Sequence, residues 1–344
     1  MTSVNYKTPG SALVLPAKAP RELWLAERTK GIGGSDISAI LGLNKWKSAY
    51  GVWVDKLGLA KEEQHVNAAM RWGLLLEGAM RTAFMEDTGL KVRSAGLHRS
   101  KEREYAQITV DGLVSDGGNF ESKTLQSWTA DEWEDDQVSD HAELQVQWGM
   151  YVTGRTHSWV VGLIDGRDFR TRRIERDEQL IGIILDRVDT FWHENVLKRE
   201  APPMTATSLE EVKSLYRLGI EEKSRNLTAD ELLQLTALDV ELKKLKASIK
   251  ADELEEMRVQ AEIRALIGDS QAVCDESGEL VKTLVNNGTF AASRFAKDHP
   301  DLVEKYSAEK RVFDPNLLKA AEPELHTKYR ARVLRDAPKK KEAK

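Results

Sequence analysis

The sequence predicts an α/β (α+β) domain with a central mixed sheet flanked by helices, followed by a charged helical extension. Three observations lead there. Helical and strand-like periods alternate through the first two hundred residues. All nine tryptophans lie at or before Trp192. The 152 residues after it have none and are rich in Lys, Glu, Leu and Ala, with Pro202 and Pro203 interrupting any helix near the junction. The expected organisation is a flexible leader over 1–20, a core domain over 21–205, a charged, coiled-coil-like segment over 206–270, and a small region with a hairpin and a basic tail over 271–344.

Within the core, the glycine turn GIGG ends at Ser35, which opens a helical stretch. Asn67 to Thr88 reads as a second helix, closed by Gly89. Strands are expected at Tyr105–Val110 and Phe120–Thr124, a helix at Ala142–Thr153, and strands at Trp159–Ile164 and Phe169–Ile174. Asp177 caps a last helix running to about Asn195. In the extension, Thr228-Ala-Asp-Glu231 is a capping-box pattern. Leu235, Leu238, Leu242, Leu245 and Ile249 then alternate three and four apart, a seam that breaks at Asp252. An antiparallel helical pair ending at Gly268 accounts for that pattern as well as a short coiled coil does. Gln271–Val285 reads as a hairpin around Asp275–Gly278, and KKKEAK as a basic tail.

Composition narrows the function classes. With 344 residues, 41% hydrophobic and 31% charged, the chain can build a sizeable core. No apolar run approaches the roughly 18 residues of a membrane-spanning helix, and the N-terminus lacks a signal-like pattern, so a cytoplasmic location is expected. Cys274 is the only cysteine. Intramolecular disulfides and cysteine-built zinc or iron–sulfur sites are thereby excluded. A net charge of −5 neither proposes nor vetoes DNA, because binding phosphates needs only a locally basic groove.

The stretch VDGLVSDGGNFESK holds Asp111, Glu121 and Lys123 in the pattern D-x9-E-x-K. Two carboxylates at adjacent strand ends can hold a divalent cation, and a neighbouring lysine can orient or help deprotonate an attacking water. Glu121 and Lys123 share one strand face; Ser122 points to the other, leaving its carbonyl as a further oxygen ligand. Alone, the pattern is expected by chance in a chain of this length. A hairpin turn over DGLVSDGG with a surface Glu and Lys explains it equally. Glu77 adds weight, since a helical wheel sets it in an apolar stripe with Met70, Gly73, Leu74 and Phe84. Arg81, four residues on, is an alternative partner for it. GIGGSDI presents free backbone N–H groups and the Ser35 hydroxyl at a helix start, which suits a phosphate or simple capping by Ser35 or Asp36. LQVQWGMYVTG places Gln145 and Gln147 on an otherwise apolar helix, as contacts to DNA or water or as partly exposed positions. The histidines show no metal-ligand spacing and are expected mostly at the surface.

Taken in order, the segments RTKGIGGSDI, WGLLLEGAMR, VDGLVSDGGNFESK and LQVQWGMYVTG resemble the phage lambda exonuclease / YqaJ-type viral recombinases, a branch of the PD-(D/E)xK nucleases. The resemblance covers about residues 21–200. It implies a restriction-endonuclease-like core in which Asp111, Glu121, the Ser122 carbonyl and Glu77 bind catalytic Mg2+, with Mn2+ substituting. Lys123 would position the nucleophilic water. Arg28 and Ser35 match positions that grip a 5′-terminal or scissile phosphate, Gln145 matches the family's active-site glutamine, and Gln147 is a second-choice DNA contact. Val110 stands where the family motif has proline, which shapes only the turn. The activity implied is Mg2+-dependent 5′–3′ digestion of linear double-stranded DNA, leaving 3′ overhangs for an annealing protein. The implied partners are duplex DNA ends, a single-strand annealing protein and further copies of the chain, since lambda-type members are trimers. A restriction-like or RecB-like endonuclease shares the same catalytic core, and a non-catalytic recombination scaffold would use only the helical extension.

Overall fold

The computed structural model describes residues 4–59, 68–216, 224–283, 292–306 and 315–328. Two compact units divide the chain, Met1–Arg217 and Leu218–Lys344. The first contains, in order, β1 (Ser11–Leu15), α1 (Arg21–Arg28), α2 (Gly34–Ile40), α3 (Ala49–Lys56) and α4 (Ala68–Thr88). Then follow β2 (Val92–Arg93), β3 (Leu97–Ser100), β4 (Gln107–Thr109), β5 (Gly112–Val114) and β6 (Asn119–Leu125). The unit closes with α5 (Asp140–Thr153), β7 (His157–Ile164), β8 (Asp168–Glu175), α6 (Glu178–Thr190) with a π-helical turn over Phe191–Leu197, and α7 (Ser208–Leu215).

The central sheet has the order β2-β5-β6-β7-β8. It is mixed: β6 and β7 run parallel, with Glu121 opposite Val160 and Lys123 opposite Gly162, while the other pairs are antiparallel. Parallel neighbours need a crossover, and α5 lies within it. Strand alternation then decides the layers. Phe120 and Val161 join Met80 and Phe84 of α4 on one face, with the Phe84 ring 5.2 Å from Phe120 and 5.5 Å from Trp159. Val160 meets Val146 and Met150 of α5 on the other face, together with Trp133. Buried on nearly every side, α5 also packs against α2 and α6, where Trp148 joins Ile37, Ile108 and Ile184 in the largest core cluster.

Several expectations change. The leader is not loose beyond its first residues: β1 pairs antiparallel with β3 in a three-stranded sheet, β1-β3-β4. Ser11 and the buried His98 are joined by a 3.1 Å hydrogen bond, and Gly10 lies so close to Gly154 that a Cβ on it would stand 2.8 Å from that residue's nitrogen. The segment read as a turn, DGLVSDGG, contains β5, so the hairpin is tighter and turns at Ser115–Gly118. The strand expected at Tyr105–Val110 is β4, and it belongs to the other sheet. Beyond the expected break at Pro202–Pro203, α7 continues the first unit, with Ser48 donating from its backbone N–H to Glu211 at 2.8 Å. His98 and His157 are buried rather than superficial, and His157 bonds Asp116 at 3.1 Å; His65 lies outside the described residues.

In the second unit, the capping box forms as read, with Glu231 N–H donating to Thr228 Oγ1 and Thr228 N–H to Glu231 Oε2. It starts one continuous helix, α8 (Ala229–Ile267), of 39 residues. The helical pair is therefore not formed, because no residue with a helix-breaking backbone preference stands between Thr228 and Gly268, which ends α8 with φ 64°. The hairpin is present as β9 (Ala272–Cys274) and β10 (Leu280–Thr283). Helices α9 (Ala292–Asp298), α10 (Pro300–Tyr306), α11 (Pro315–Ala321) and α12 (Pro323–Lys328) follow. Asn67, the end of the hairpin segment at Val285 and the basic tail lie outside the described residues. Among the described residues, no helix is long and apolar enough to cross a membrane.

Candidate active site

Asp111 stands where the chain leaves the small sheet at β4 and enters the central one at β5. The register Gly112 opposite Phe120 sets Asp111 beside the Glu121–Ser122 step of β6. Ser122 donates to Asp111 Oδ2 from both its backbone N–H (2.8 Å) and its hydroxyl (2.7 Å). This second bond was not foreseen from the sequence, which gave Ser122 only a carbonyl role. Strand alternation turns Glu121 and Lys123 to the α5 face, where Gln145 meets them. Lys123 Nζ donates to Glu121 Oε1 (2.8 Å) and to Gln145 Oε1 (2.7 Å), while Gln145 Nε2 donates to Glu121 Oε1 (2.5 Å). The three side chains thus close a ring from two elements.

Glu121 is only 5% exposed. Burial, then the Asp111 carboxylate, push its carboxyl up to about 7 against the pull of Lys123; Glu77 adds a smaller upward push. Glu77 is also raised, by burial and then by Asp111, with Arg81 opposing. Its place differs from the expectation. The N-terminal half of α4 is exposed, Met70 and Leu74 included, and only Met80 and Phe84 are buried. Glu77 is half-buried and paired with Arg81 Nη2, the ordinary i,i+4 partner. The same Arg81 nitrogen donates to the Asp111 carbonyl at 2.9 Å, tying α4 to the site.

Among the described residues, no three His, Cys, Asp or Glu side chains are grouped so as to hold a metal ion. The donor chemistry nevertheless suits a hard divalent cation. Glu77, Asp111 and Glu121 are all carboxylates, and burial followed by repulsion from the Asp111 charge raises the Glu77 and Glu121 carboxyls. A bound cation would offset that repulsion in place of the Lys123 and Arg81 contacts.

A basic cradle is built from three further elements. Arg28, at the end of α1, donates to Ser35 Oγ at 2.8 Å, and its guanidinium lies 5.2 Å from the Trp24 ring centroid. Beneath them Asp36 is 1% exposed and accepts from Gly33 N–H at 3.0 Å. Around it stand Lys56 at 2.7 Å, Arg28 at 3.6 Å and Lys47 at 3.8 Å. Burial opposes its ionisation, but these three cations outweigh it and hold the carboxyl well below the usual range. Lys47 is also paired with Asp55 at 2.6 Å, so three cations stand over two carboxylates and leave one net positive charge at the start of α2, within an acidic chain. Lys56, with its side chain 2% exposed, also donates to the Arg28 carbonyl at 3.1 Å.

Gly34 connects the cradle to the carboxylates: a Cβ there would sit 2.9 Å from Gln145 Cγ and 2.7 Å from Ile108 Cδ1. Only glycine lets α2 approach α5 this closely. Ser35 and Gln145 are thereby brought to adjoining positions. Gln147 is not among them. It is 1% exposed and its amide is fully used, donating to Glu143 (2.7 Å) and to the Glu175 carbonyl (2.8 Å) and accepting from Asp177 N–H (2.9 Å). Its two-residue spacing from Gln145 turns it to another face of α5, so it fixes the helix against the β8–α6 junction rather than facing DNA. Sequence reasoning missed Asp36, Lys47, Lys56 and Arg81 as site components. Arg81 was weighed only as a partner for Glu77, and nothing in the spacing of Lys47 and Lys56 signals convergence on Asp36.

The chain is similar to several known proteins. Residues 23–156 match the model of the YqaJ-like viral recombinase domain. Over 302 residues the chain is 32% identical to the uncharacterized protein YqaJ of Bacillus subtilis (strain 168), covering 84% of this chain and 91% of that protein. Among solved structures, the alkaline exonuclease LHK-Exo from Laribacter hongkongensis matches 52% of this chain and 97% of its own at 28% identity, with a TM-score of 0.45. LHK-Exo in complex with dAMP matches 56% and 96% at 27% identity, with a TM-score of 0.46. The extent and identity of the match to the Bacillus protein place it plainly: the chain belongs to the YqaJ-like viral recombinase family.

Proposed function

We propose that the chain is a Mg2+-dependent exonuclease that digests linear double-stranded DNA 5′ to 3′ and leaves 3′ single-stranded overhangs for annealing in recombination. The observation that carries the reading is the ring of Glu121, Lys123 and Gln145, closed at 2.5–2.8 Å beside Asp111. The carboxylates of Asp111, Glu121 and Glu77 and the Ser122 carbonyl would hold the cation, Mg2+ or Mn2+, which supplies Lewis-acid stabilisation of charge developing on the phosphate. Lys123, held by Gln145, orients the attacking water and favours its deprotonated form. Arg28 and Ser35 bind a strand phosphate at the start of α2, where backbone N–H groups and the positive cradle assist. Membership of a viral recombinase family supports the recombination context, and with it an annealing protein as partner, a cytoplasmic setting and assembly into homo-oligomers such as trimers. The first unit, Met1–Arg217, carries this activity; Leu218–Lys344 is an extension with no catalytic group assigned.

The test is digestion of 5′- and 3′-end-labelled linear duplex beside closed circular DNA, with Mg2+ present. Loss of linear duplex from the 5′ end, intact circles, and a fall of at least 100-fold in Lys123→Ala are expected. Cutting of circles would make the protein an endonuclease of the same catalytic chemistry. Undiminished digestion by Lys123→Ala would remove Lys123 from the mechanism.

A further inference from the structure

His141 lies one turn before Gln145 on α5, about 6 Å along the same face. The packing of α2 on α5 repeats this step. Gly34 abuts Gln145, and four residues on, Ser38 bonds His141 at 2.7 Å. His141 therefore continues the row that Gly34 and Gln145 begin. Neither composition nor spacing marked it, and the proposed mechanism does not use it.

Its hydrogen bonds favour one of the two ring tautomers. Asn44 Nδ2 has hydrogens only to donate, and it donates to Ser38 Oγ at 3.0 Å. Ser38, 1% exposed, has one lone pair taken by Asn44, which favours turning its own hydroxyl proton to His141 Nδ1. Nδ1 then accepts, and the neutral ring bears its proton on Nε2. Burial, followed by the nearby Lys123 charge, holds the imidazole down to about 4, so it remains neutral in ordinary buffers. Asn44 and Ser38 act as positioning residues for a donor aimed away from α2.

We propose that His141 is a further substrate-contacting residue, its Nε2–H donating to a backbone phosphate oxygen of the DNA strand next to the phosphate that faces Gln145 and Lys123. The inference rests on the nuclease reading and adds a contact to it. A neutral donor suits this position: it strengthens one hydrogen bond to an anion without adding a charge that would compete with Lys123 for Glu121.

The experiment compares wild type, H141N and H141Q in binding of a short 5′-phosphorylated duplex with Ca2+ and in digestion with Mg2+, with thermal midpoints as the folding control. Asn can still meet Ser38 but has no donor at the Nε2 position; Gln restores one. H141N is expected to weaken binding and kcat/KM by about 10- to 100-fold, with H141Q within about 3-fold of wild type. Because His141 is uncharged, the salt dependence of binding should keep the wild-type slope in both variants. Equal behaviour of H141N and wild type, equal losses in H141N and H141Q, or a shallower salt slope in H141N would overturn the assignment. Should H141N fail to fold, Ser38→Ala carries the test: a loss of about 3-fold or more from the freed tautomer is expected, and no loss overturns it. A wild type that neither binds nor digests DNA would instead defeat the nuclease reading and this inference with it, whereas active wild type and unimpaired H141N defeat only the inference.

Discussion

Asp36→Asn isolates the buried charge beneath the proposed phosphate cradle. The substitution keeps size and keeps an oxygen to accept from Gly33 N–H, so the cap at the start of α2 survives. What disappears is the carboxylate paired with Lys56, whose side chain is 2% exposed, while Lys47 and Arg28 remain close by. Removing one partner of a buried pair leaves an uncompensated charge and costs roughly 3–5 kcal/mol. For a unit of this size that corresponds to a fall of roughly 6–20 °C in the melting midpoint. The Asp36 carboxyl is held below its ordinary 3.8, so the stabilisation is fully present above that value and lost only as pH falls below it. A urea or thermal melt at pH 7 therefore reads the whole effect. Asp36→Asn combined with Lys56→Met removes both charges and should recover more than half of the loss. A single-variant cost below about 1 kcal/mol, or a double variant no better than the single, would refute the view that this pair is a buried, mutually dependent support for Arg28 and Ser35.

Three other outcomes are expected. Glu121→Gln should abolish digestion yet stabilise the metal-free protein. Its carboxyl is raised from 4.5 to about 7, so ionisation costs nothing below the lower value and ~3 kcal/mol above the upper, and the gain should appear in chelator at pH 8 and vanish near pH 4.5. Gly34→Ala should separate α2 from α5, because the Gln145 and Ile108 side chains and the Gln145 carbonyl at 3.3 Å leave no room for a methyl group. A stability loss of about 1–3 kcal/mol with a larger proportional loss of activity is expected from melts and end-label assays. Gln147→Ala and Gln145→Ala should part company: the first lowers stability by about 1–3 kcal/mol with kcat close to wild type, whereas the second lowers kcat by at least about 10-fold and leaves the melting midpoint nearly unchanged.

Much of the architecture was determined by the sequence itself. Periodicity gave α4, α5, β6, β7 and β8 close to their observed limits, because these elements are long, strongly patterned and bounded by Gly89, Gly154 or Asp177. It did not reveal β1 or β5. Five- and three-residue strands carry too little pattern; β1 depends on a partner far along the chain, His98 for Ser11, and β5 was absorbed into the turn before Phe120. The long helix α8 was left open between a short coiled coil and a helical pair, since apolar spacing reports a buried face and falls silent where a helix stays exposed.

The site divides in the same way. Asp111, Glu121 and Lys123 were legible as residues of the right kind at a spacing that chance also supplies. Tertiary structure alone decided that Asp111 reaches Ser122, that Gln145 closes on Lys123, and that Gln147, two residues away, serves the fold. Glu77 was singled out for an apolar stripe that proved half exposed, and its nearest partner is Arg81. The cradle of Asp36, Lys47 and Lys56 and the chain from Asn44 through Ser38 to His141 left no trace in spacing. Their members come from separate elements: α2 meets α3 at Asp36 and Lys56, and Gly34 lets α2 close on α5 where Ser38 reaches His141. A sequence fixes which side chains can ionise or donate. The packing of helices and sheets fixes which of them share a dielectric, a proton or a charge.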